Sequence, residues 1–121
     1  MTTKHNLLLP AEPESAKAWA LDLGVTIAFI SHCVDESEDG LDIRDFKLTE
    51  SQQTRLLSIK KILQRIGKWF DTRQEAVTWL DTCRIQSSGD CTPLEIIKQH
   101  GEVGEQVVLT FIAQKELGGF E

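Results

Sequence analysis

The sequence lacks any apolar run long enough to cross a membrane. No stretch of its 121 residues comes near the ~20 apolar residues that a spanning helix needs. Residues 1–13 contain only a run of three leucines before Pro10, which is too short for the apolar region of a signal peptide. We therefore expect a protein without membrane contact or export signal, located in the cytoplasm.

Cysteine is scarce, and its number is odd, with only Cys33, Cys83 and Cys91 in the chain. In a reducing compartment three thiols do not predict a disulfide framework. Cys83, Cys91 and His100 are close in sequence, but their spacing matches no zinc pattern, and structural zinc takes four ligands. We expect free thiols, no metal and no cofactor.

The common catalytic motifs are missing as well. The three histidines, His5, His32 and His100, lie far apart, and no serine, cysteine or carboxylate forms a recognisable nucleophile pattern with them. The segment GEVG at 101–104 lacks the lysine-containing frame of a phosphate-binding loop. No zinc-protease motif or calcium loop is present. We expect a protein that is not an enzyme.

Positive charge is scarce in the first part of the chain. The net charge is −6, and residues 1–48 contain four basic against nine acidic residues. Six of these carboxylates fall between Asp35 and Asp45, a composition typical of a solvated linker. Because DNA binding through the phosphate backbone needs clustered Lys and Arg, this charge argues against autonomous DNA binding.

The sequence does contain clear helix signals. Thr49 and Gln52 form a capping box ahead of a long stretch with apolar residues at helical spacing. No stretch alternates for long with period two, as a half-buried strand would. The sequence therefore predicts an all-α fold, with a small N-terminal helical unit and acidic linker over 1–48 and a C-terminal helical domain over 49–121.

Further helices are predicted toward the C-terminus. The residues Thr-Pro-Leu-Glu at 92–95 combine an N-cap, a first-turn proline and a capping-box glutamate. Gly101 ends this helix, and a last helix runs over about 102–117. The predicted apolar face of that last helix consists of Val103, Val107, Val108, Phe111 and Ile112, with Leu117 near its end. Trp69 and Trp79 fall on apolar stripes and are predicted to belong to the core.

The N-terminal unit contains the spacing of a helix-turn-helix, which would be a degenerate one. Ala20, Gly24 and Ile30 match the small residue between the helices, the turn glycine and an apolar position of the second helix. The residues predicted to face DNA are Thr26, Ile27, Ala28, Ser31 and His32. None is Arg, Lys, Asn or Gln, the side chains that usually read bases in the major groove. Plain helical hairpins have the same spacing, so both interpretations stay open.

Several marks of the C-terminal half follow in a fixed order from Thr49 onward. They are Arg55 in the long leading helix, Glu75-Ala76 followed by Trp79-Leu80, the turn Thr92-Pro93-Leu94, Gly101, and the closing Gly-Gly-Phe at 118–120. In order and spacing these marks resemble the toxin-binding domain of Xre/MbcA/ParS-type antitoxins. Arg55 is also expected to hold a structural ion pair. The loop at 83–89, Cys-Arg-Ile-Gln-Ser-Ser-Gly, departs from the family pattern.

The resemblance implies a function by binding. Antitoxins of this family neutralise a toxin of the RES class, which degrades NAD or resembles ADP-ribosylating enzymes, by placing their C-terminal end in the toxin's active-site cleft. On this chain the resemblance assigns toxin binding to Leu117, Gly118, Gly119, Phe120 and Glu121. It implies a homodimer or a hetero-oligomer with the toxin as the assembled form.

The chemistry of this tail suits the implied role. Two glycines give a narrow, adaptable backbone, and Phe120 offers an aromatic anchor for a pocket. Glu121 carries a carboxylate for cations that otherwise hold NAD phosphates. The alternative for the tail is a frayed terminus whose Phe120 folds back onto the core. The alternatives for the whole chain are a transcriptional regulator with an N-terminal helix-turn-helix and a C-terminal dimerisation domain, and a stand-alone interaction module that binds a different partner.

Overall fold

The computed structural model describes Pro13, residues 15–41 and residues 47–118. These residues are mainly helical and contain no strand, so the predicted all-α fold is confirmed. The helices are α1 (Ala16–Leu23), α2 (Ile27–Val34), α3 (Glu38–Leu41), α4 (Glu50–Ile66), α5 (Arg73–Thr82) and α6 (Pro93–Gly118). Short 3₁₀ turns, Gly67–Trp69 and Gln86–Ser88, follow α4 and α5.

Side-chain caps fix where the long helices begin, as predicted. At the start of α4, Thr49 Oγ1 accepts a hydrogen bond from Gln52 N at 3.1 Å, and Gln52 Oε1 accepts one from Thr49 N at 2.9 Å. Thr92 and Glu95 form the same reciprocal pair at the start of α6. Each pair satisfies two backbone N–H groups that the helix itself leaves without a partner. Local sequence is therefore enough to place these two starts.

Helix α4 is the central element of the fold. It contacts α2, α5 and α6. Its buried side chains are Leu56, Ser58, Ile59, Ile62, Leu63 and Ile66. The apolar members of this set belong to one hydrophobic cluster that extends from Ala16 in α1 to Ile112 in α6. The N-terminal helices and the C-terminal half thus share a single core within the described residues.

Polar contacts fasten the N-terminal helices to α4. The indole of Trp19 is fully buried, and its Nε1 donates to Gln53 Oε1 at 2.7 Å. Arg55 Nη1 donates to the carbonyl oxygen of Cys33 at 2.9 Å and to Asp35 Oδ2 at 3.0 Å. The ion pair expected for Arg55 is present, and it joins α4 to the end of α2.

The acidic stretch is less solvated than predicted. Asp35 ends α2 in the left-handed conformation, with φ 61°, and its second carboxylate oxygen lies 3.0 Å from Lys98 Nζ. Leu41, the last residue of α3, is buried in the core. Three of the four described carboxylates, those of Asp35, Glu38 and Asp39, are exposed as the predicted solvated stretch implies, but Asp35 is also ion-paired and Leu41 is buried. Residues 42–46 lie outside the described residues.

Asp35 makes the stability of the fold depend on pH. Hydrogen bonds from Lys98 and from Arg55 hold the pKa of its carboxyl below the ordinary value. The stabilisation is present above the ordinary aspartate pKa and disappears as pH falls through the lowered one. Asparagine tolerates the left-handed backbone at this position. We therefore expect Asp35→Asn to lower the urea midpoint at neutral pH and to leave it unchanged in strong acid. An equal loss at both pH values would show that the charge of Asp35 is irrelevant.

Two glycines shape α6. Gly101 has φ 58° and ψ −128°, a conformation that residues with a side chain rarely adopt. It divides α6 into a first arm, 93–100, and a second arm, 102–118, in agreement with the predicted end of one helix at Gly101. Gly104 then packs directly on the first arm, since a Cβ at this position would lie 2.9 Å from the carbonyl carbon of Ile96.

The buried face of the second arm differs from the predicted one. Val103 and Val107, predicted to be buried, are 68% and 36% exposed. The residues of this arm that face the core are Gly104, Glu105, Val108 and Ile112. The reason is Gly104, whose missing side chain permits the closest approach between the arms and so selects the face around it.

Polar contacts hold the second arm against α4 at two heights. The hydroxyl of Ser58 donates to Oε1 of the buried Glu105 at 2.6 Å, and Lys61 Nζ lies 3.5 Å from the other oxygen. Nearer the end of the arm, Arg65 Nη2 donates to Glu116 Oε1 at 3.0 Å. Because a buried carboxylate without a partner is costly, the pair of Ser58 and Glu105 favours one register of the two helices.

None of the helices in the described ranges is by itself both long and apolar enough to span a bilayer. Helices α1 and α2 taken together have the length and the apolar composition of a span, and they are bent by 113° relative to each other.

Candidate partner-binding site

Large apolar side chains are exposed mainly along α6. Within the described residues, the exposed large hydrophobics are Leu21, Val103, Val107 and Leu117. The last three lie on α6 at spacings that put them on one face of the helix. We call Val103, Val107 and Leu117 the outer stripe. An exposed apolar stripe of this kind is typical of a surface that binds another molecule.

A groove of about 890 Å³ lies beside the outer stripe, between the end of α4, α5 and α6. Its walls are the half-buried rings of Trp69, Trp79 and Phe111, and we call it the aromatic groove. Trp69 and Trp79 meet edge to face with ring centroids 5.6 Å apart, and Trp79 lies 6.4 Å from Phe111. The prediction of both tryptophans as core is only partly right, since each packs against the core and also opens to solvent.

Three separate elements bring these rings together. A 3₁₀ turn at the end of α4 carries Trp69, α5 carries Trp79, and the second arm of α6 carries Phe111. The loop after α5 closes one end of the groove, because it folds back through an antiparallel bridge between Ile85 and Cys91. Ile85 N donates to the carbonyl oxygen of Cys91 at 2.9 Å. The aromatic groove is thus a product of tertiary packing.

The rim of the aromatic groove is positively charged. Lys68, Arg84 and Lys115 line it, and no carboxylate does so among the described residues. Lys115 Nζ lies 5.4 Å from the ring centroid of Phe111, within the range of a cation–π contact. Lys68 Nζ is 3.8 Å from Glu116, whose carboxylate is bonded more closely by α4. We call these three residues the cationic rim, which contrasts with the net charge of −6 of the chain.

The loop itself positions Arg84. Its Nη1 donates to the carbonyl oxygen of Asp90 at 2.8 Å. Because a carbonyl is neutral, this contact orients the guanidinium group without cancelling its charge. Cys83 lines the groove next to it, and burial raises the pKa of the Cys83 thiol. The thiol therefore stays protonated at neutral pH, which does not suit a nucleophile.

A second depression connects the aromatic groove to the outer stripe. It has a volume of about 330 Å³ and is bordered by Ile85, Val103 and Val107. Phe111 and Gln114 border both depressions. The groove and the two valines of the stripe consequently form one surface, with aromatic rings at one side and aliphatic side chains at the other, while Leu117 borders neither depression.

The residues predicted to bind a toxin begin at the end of this surface. Leu117 is 87% exposed, and Gly118, the last residue of α6, is exposed as well. Gly119, Phe120 and Glu121 lie outside the described residues. Because Lys115 of the cationic rim is in the last turn of α6, the predicted tail starts beside the aromatic groove.

The residues of the predicted helix-turn-helix form the corner between α1 and α2. Helices α1 and α2 are bent by 113°, and only three residues, Gly24 to Thr26, separate them. Gly24 takes the left-handed conformation with φ 71°, and Thr26 Oγ1 accepts a hydrogen bond from Phe29 N at 3.1 Å, as an N-cap does. This geometry is within the range of helix-turn-helix motifs, in which the helices cross at about 90–120°.

The five residues predicted to face DNA are not all on the surface. Ala28 and His32 are exposed, and so is the cap Thr26. Ile27, predicted to face outward, packs against the core, because the turn directs the start of α2 inward. Ser31 is half-buried, and its hydroxyl donates to a backbone carbonyl just after α2. His32 Nε2 lies 3.1 Å from a carboxylate oxygen of Asp81.

The described residues contain no group of three or more His, Cys, Asp or Glu side chains arranged to hold a metal ion. Cys83, Cys91 and His100, which are close in sequence, do not form such a group. The chemistry of the site is therefore described by apolar contact and positive charge.

The chain can also be compared with known proteins through its sequence and its fold. No model of a known protein family matches it, and neither the curated proteins nor the solved structures give a significant match.

Proposed function

We propose that this chain is an antitoxin, which binds a toxin of the RES class and covers the toxin's active-site cleft with the C-terminal end of α6. The observation that supports this best is the position of the exposed apolar side chains. Three of the four large ones in the described residues lie on α6, and Leu117 is at its end. The order of residues that resembles the antitoxin domain points to the same end of the chain.

The proposed action is stoichiometric occlusion without catalysis by this chain. Leu117 and Phe120 would enter the toxin as apolar anchors, and fully burying a side chain such as leucine contributes about 1.5–3 kcal/mol. Gly118 and Gly119 between them keep the backbone narrow. Glu121 would pair with the cations that hold NAD phosphates in the toxin, which makes substrate and antitoxin competitors for one cleft.

The experiment is co-expression of the chain with the product of the adjacent gene, which the proposal expects to be a RES-type toxin. We expect the full chain to restore growth and cellular NAD, and a variant that lacks residues 117–121 to fail. Of the described residues, the deletion removes only Leu117 and Gly118, which are both exposed, so the melting temperature should not change. Measured affinity for the toxin should fall by at least about thirtyfold, the effect of losing one hot-spot anchor.

A matched pair of substitutions controls for surface charge and solubility. Leu117→Glu and Leu21→Glu change leucines with 87% and 86% exposure, one on α6 and one on α1. We expect only Leu117→Glu to abolish neutralisation. If the deletion variant still neutralises the toxin, or the toxin does not harm cells on its own, occlusion by the tail is wrong.

A transcriptional regulator is the second candidate, and the corner between α1 and α2 favours it. The two helices are bent by 113° at this corner, and the exposed ones among the predicted reading positions are Thr26, Ala28 and His32. None of these side chains makes the bidentate contacts that usually discriminate base pairs. A regulator would shift DNA from its own promoter without the toxin, with an affinity that falls steeply as salt rises.

A further inference from the structure

We propose that the aromatic groove is a second docking site, which receives an acidic segment of the partner protein with one aromatic or large aliphatic side chain among its Asp or Glu residues. This inference names the partner's side of the proposed antitoxin contact and in that respect rests on the proposed function. The binding preference of the groove itself can be measured without any toxin.

The aromatic walls of the groove are the reason for proposing an apolar side chain in the partner segment. Trp69, Trp79 and Phe111 present ring edges and faces around one space, with neighbouring centroids 5.6 and 6.4 Å apart. A further ring or a leucine can pack among them in the offset and edge-to-face arrangements that aromatic groups prefer. A volume of about 890 Å³ is at the upper end of the range of small-ligand pockets, and it leaves room for one buried side chain with its flanking backbone.

The cationic rim accounts for the acidic flanks. Three of the side chains that line the groove are Lys or Arg, and none among the described lining residues is Asp or Glu. In a chain with 19 acidic and 13 basic residues, this local sign is opposite to the overall one. A basic segment would be repelled here, while carboxylates beside the anchor would meet Lys68, Arg84 and Lys115.

The state of each cation supports this assignment. Lys115 is held over the Phe111 ring, so its ammonium group is already at the groove. Arg84 is fixed by a neutral carbonyl and keeps donors for a carboxylate, which it can bind in bidentate fashion. Lys68 is the most committed of the three, because its Nζ lies 3.8 Å from Glu116 Oε2, a buried oxygen that has no hydrogen bond. Preformed cations around an apolar pocket lower the ordering cost of binding.

The groove adjoins the tail but is a separate contact, because Leu117 does not line it. The tail begins after Lys115, whereas Trp69 and Trp79 lie on elements that precede α6 in the chain. A partner whose cleft received Leu117 could place one of its own surface segments in the groove at the same time. Two linked contacts of this kind strengthen each other, because the second one forms within an existing complex.

The probe for the experiment is a phage-displayed library of random dodecapeptides, selected against the full chain. We expect enriched peptides to contain an aromatic residue or leucine flanked by Asp or Glu. A synthetic peptide of this consensus should bind measurably, and its affinity should fall as salt rises, since exposed charges are screened. In NMR titration the indole signals of Trp69 and Trp79 should shift, and that of Trp19, buried elsewhere in the core, should not.

Charge reversal tests the cationic rim without disturbing the core. Arg84 and Lys115 are exposed, so the double change Arg84→Glu with Lys115→Glu should fold normally and weaken the acidic peptide at least tenfold. Lys47→Glu makes the same kind of change at the other end of α4, and it should leave affinity unaltered. Trp79→Ala should reduce affinity by about thirtyfold, as loss of a hot-spot ring does. Circular dichroism checks that this last variant still folds.

Several results would overturn the assignment. They are enrichment of basic or uncharged peptides, selected peptides that bind the charge-reversed variant equally well, or no peptide that shifts the two indole signals. If removal of residues 119–121 raises peptide affinity more than tenfold, the chain's own tail is the occupant, and a partner segment is excluded. If the groove binds the peptide but the chain fails to neutralise the toxin, the antitoxin proposal is wrong and the groove proposal stands. If the chain neutralises the toxin but no peptide binds the groove, the groove proposal is wrong and the antitoxin proposal stands.

Discussion

Replacement of Gly104 by alanine is expected to destabilise the fold by about 3 kcal/mol or more. A Cβ at this position would lie 2.9 Å from the Ile96 carbonyl carbon and closer still to its oxygen, and both atoms belong to rigid helical backbone. Overpacking in a tight core costs about 1–3 kcal/mol, and a clash with backbone lies at the upper end because no side chain can move aside. The free energy of unfolding, from urea titration followed by circular dichroism, measures the effect.

Gly67→Ala is the matched control for this prediction. Gly67 has φ −55° and ψ −34°, and a Cβ there would meet nothing within 4 Å. Because alanine restricts the unfolded chain more than glycine does, this variant should be neutral or more stable by up to about 1 kcal/mol. If both glycine variants lose the same stability, the contact between the arms of α6 is not what requires Gly104.

Replacement of Trp19 by alanine is expected to cost about 3–5 kcal/mol, the range for removing a fully buried large side chain. Trp19 has no exposed surface, and its indole donates to Gln53 on α4. The variant therefore leaves a cavity and an unpaired amide oxygen in the part of the core that joins the N-terminal helices to α4. Trp19→Phe should lose less, since the phenyl ring refills most of the space and only the hydrogen bond is absent.

The same variant tests whether the chain unfolds as one unit. Trp69 and Trp79 remain as fluorescent reporters near α6, while circular dichroism reports on all helices. We expect the two signals of Trp19→Ala to change together at a lower urea midpoint, because the core is continuous. Leu21→Ala, on the same helix but 86% exposed, should leave the free energy of unfolding within about 0.5 kcal/mol of the original. Two separate transitions would contradict a shared core.

Local chemistry explains what the sequence could predict of this fold. The starts of α4 and α6 are set by reciprocal bonds between residues three apart, such as Thr49 with Gln52. The break at Gly101 follows from a backbone conformation that favours glycine. Each feature depends on residues that are neighbours in sequence, so it can be predicted from the sequence alone.

Contacts between distant residues explain what could not be predicted. The face that the second arm buries depends on how closely Gly104 approaches Ile96. Helical periodicity identifies Val103 and Val107 as apolar positions but contains no information about this contact, which leaves both valines exposed. The acidic stretch looks solvated until Lys98 is brought to Asp35 from a position 63 residues away. Charge counts along the chain contain no information about such a pairing.

The candidate site also has one part that the sequence suggests and one part that it does not. The tail from Leu117 is suggested by the sequence, since its residues are adjacent and their chemistry is visible directly. The aromatic groove is not, because Trp69, Trp79 and Phe111 come from three elements and each ring falls on an apolar helical stripe. Helical spacing identifies a ring that touches the core but does not show that its other side is open.

The bend at Gly101 determines the direction of the second arm of α6 and so the position of its C-terminal end. From residue 102 to its end the arm is about 25 Å long, so a turn of about 10° at the bend would move its tip by about 4 Å. Contacts from Ser58 to Glu105 and from Arg65 to Glu116 brace it near its base and near its tip. The position of Leu117 therefore depends on both braces, so substitution of Ser58 or Arg65 can weaken partner binding without any change in the tail itself.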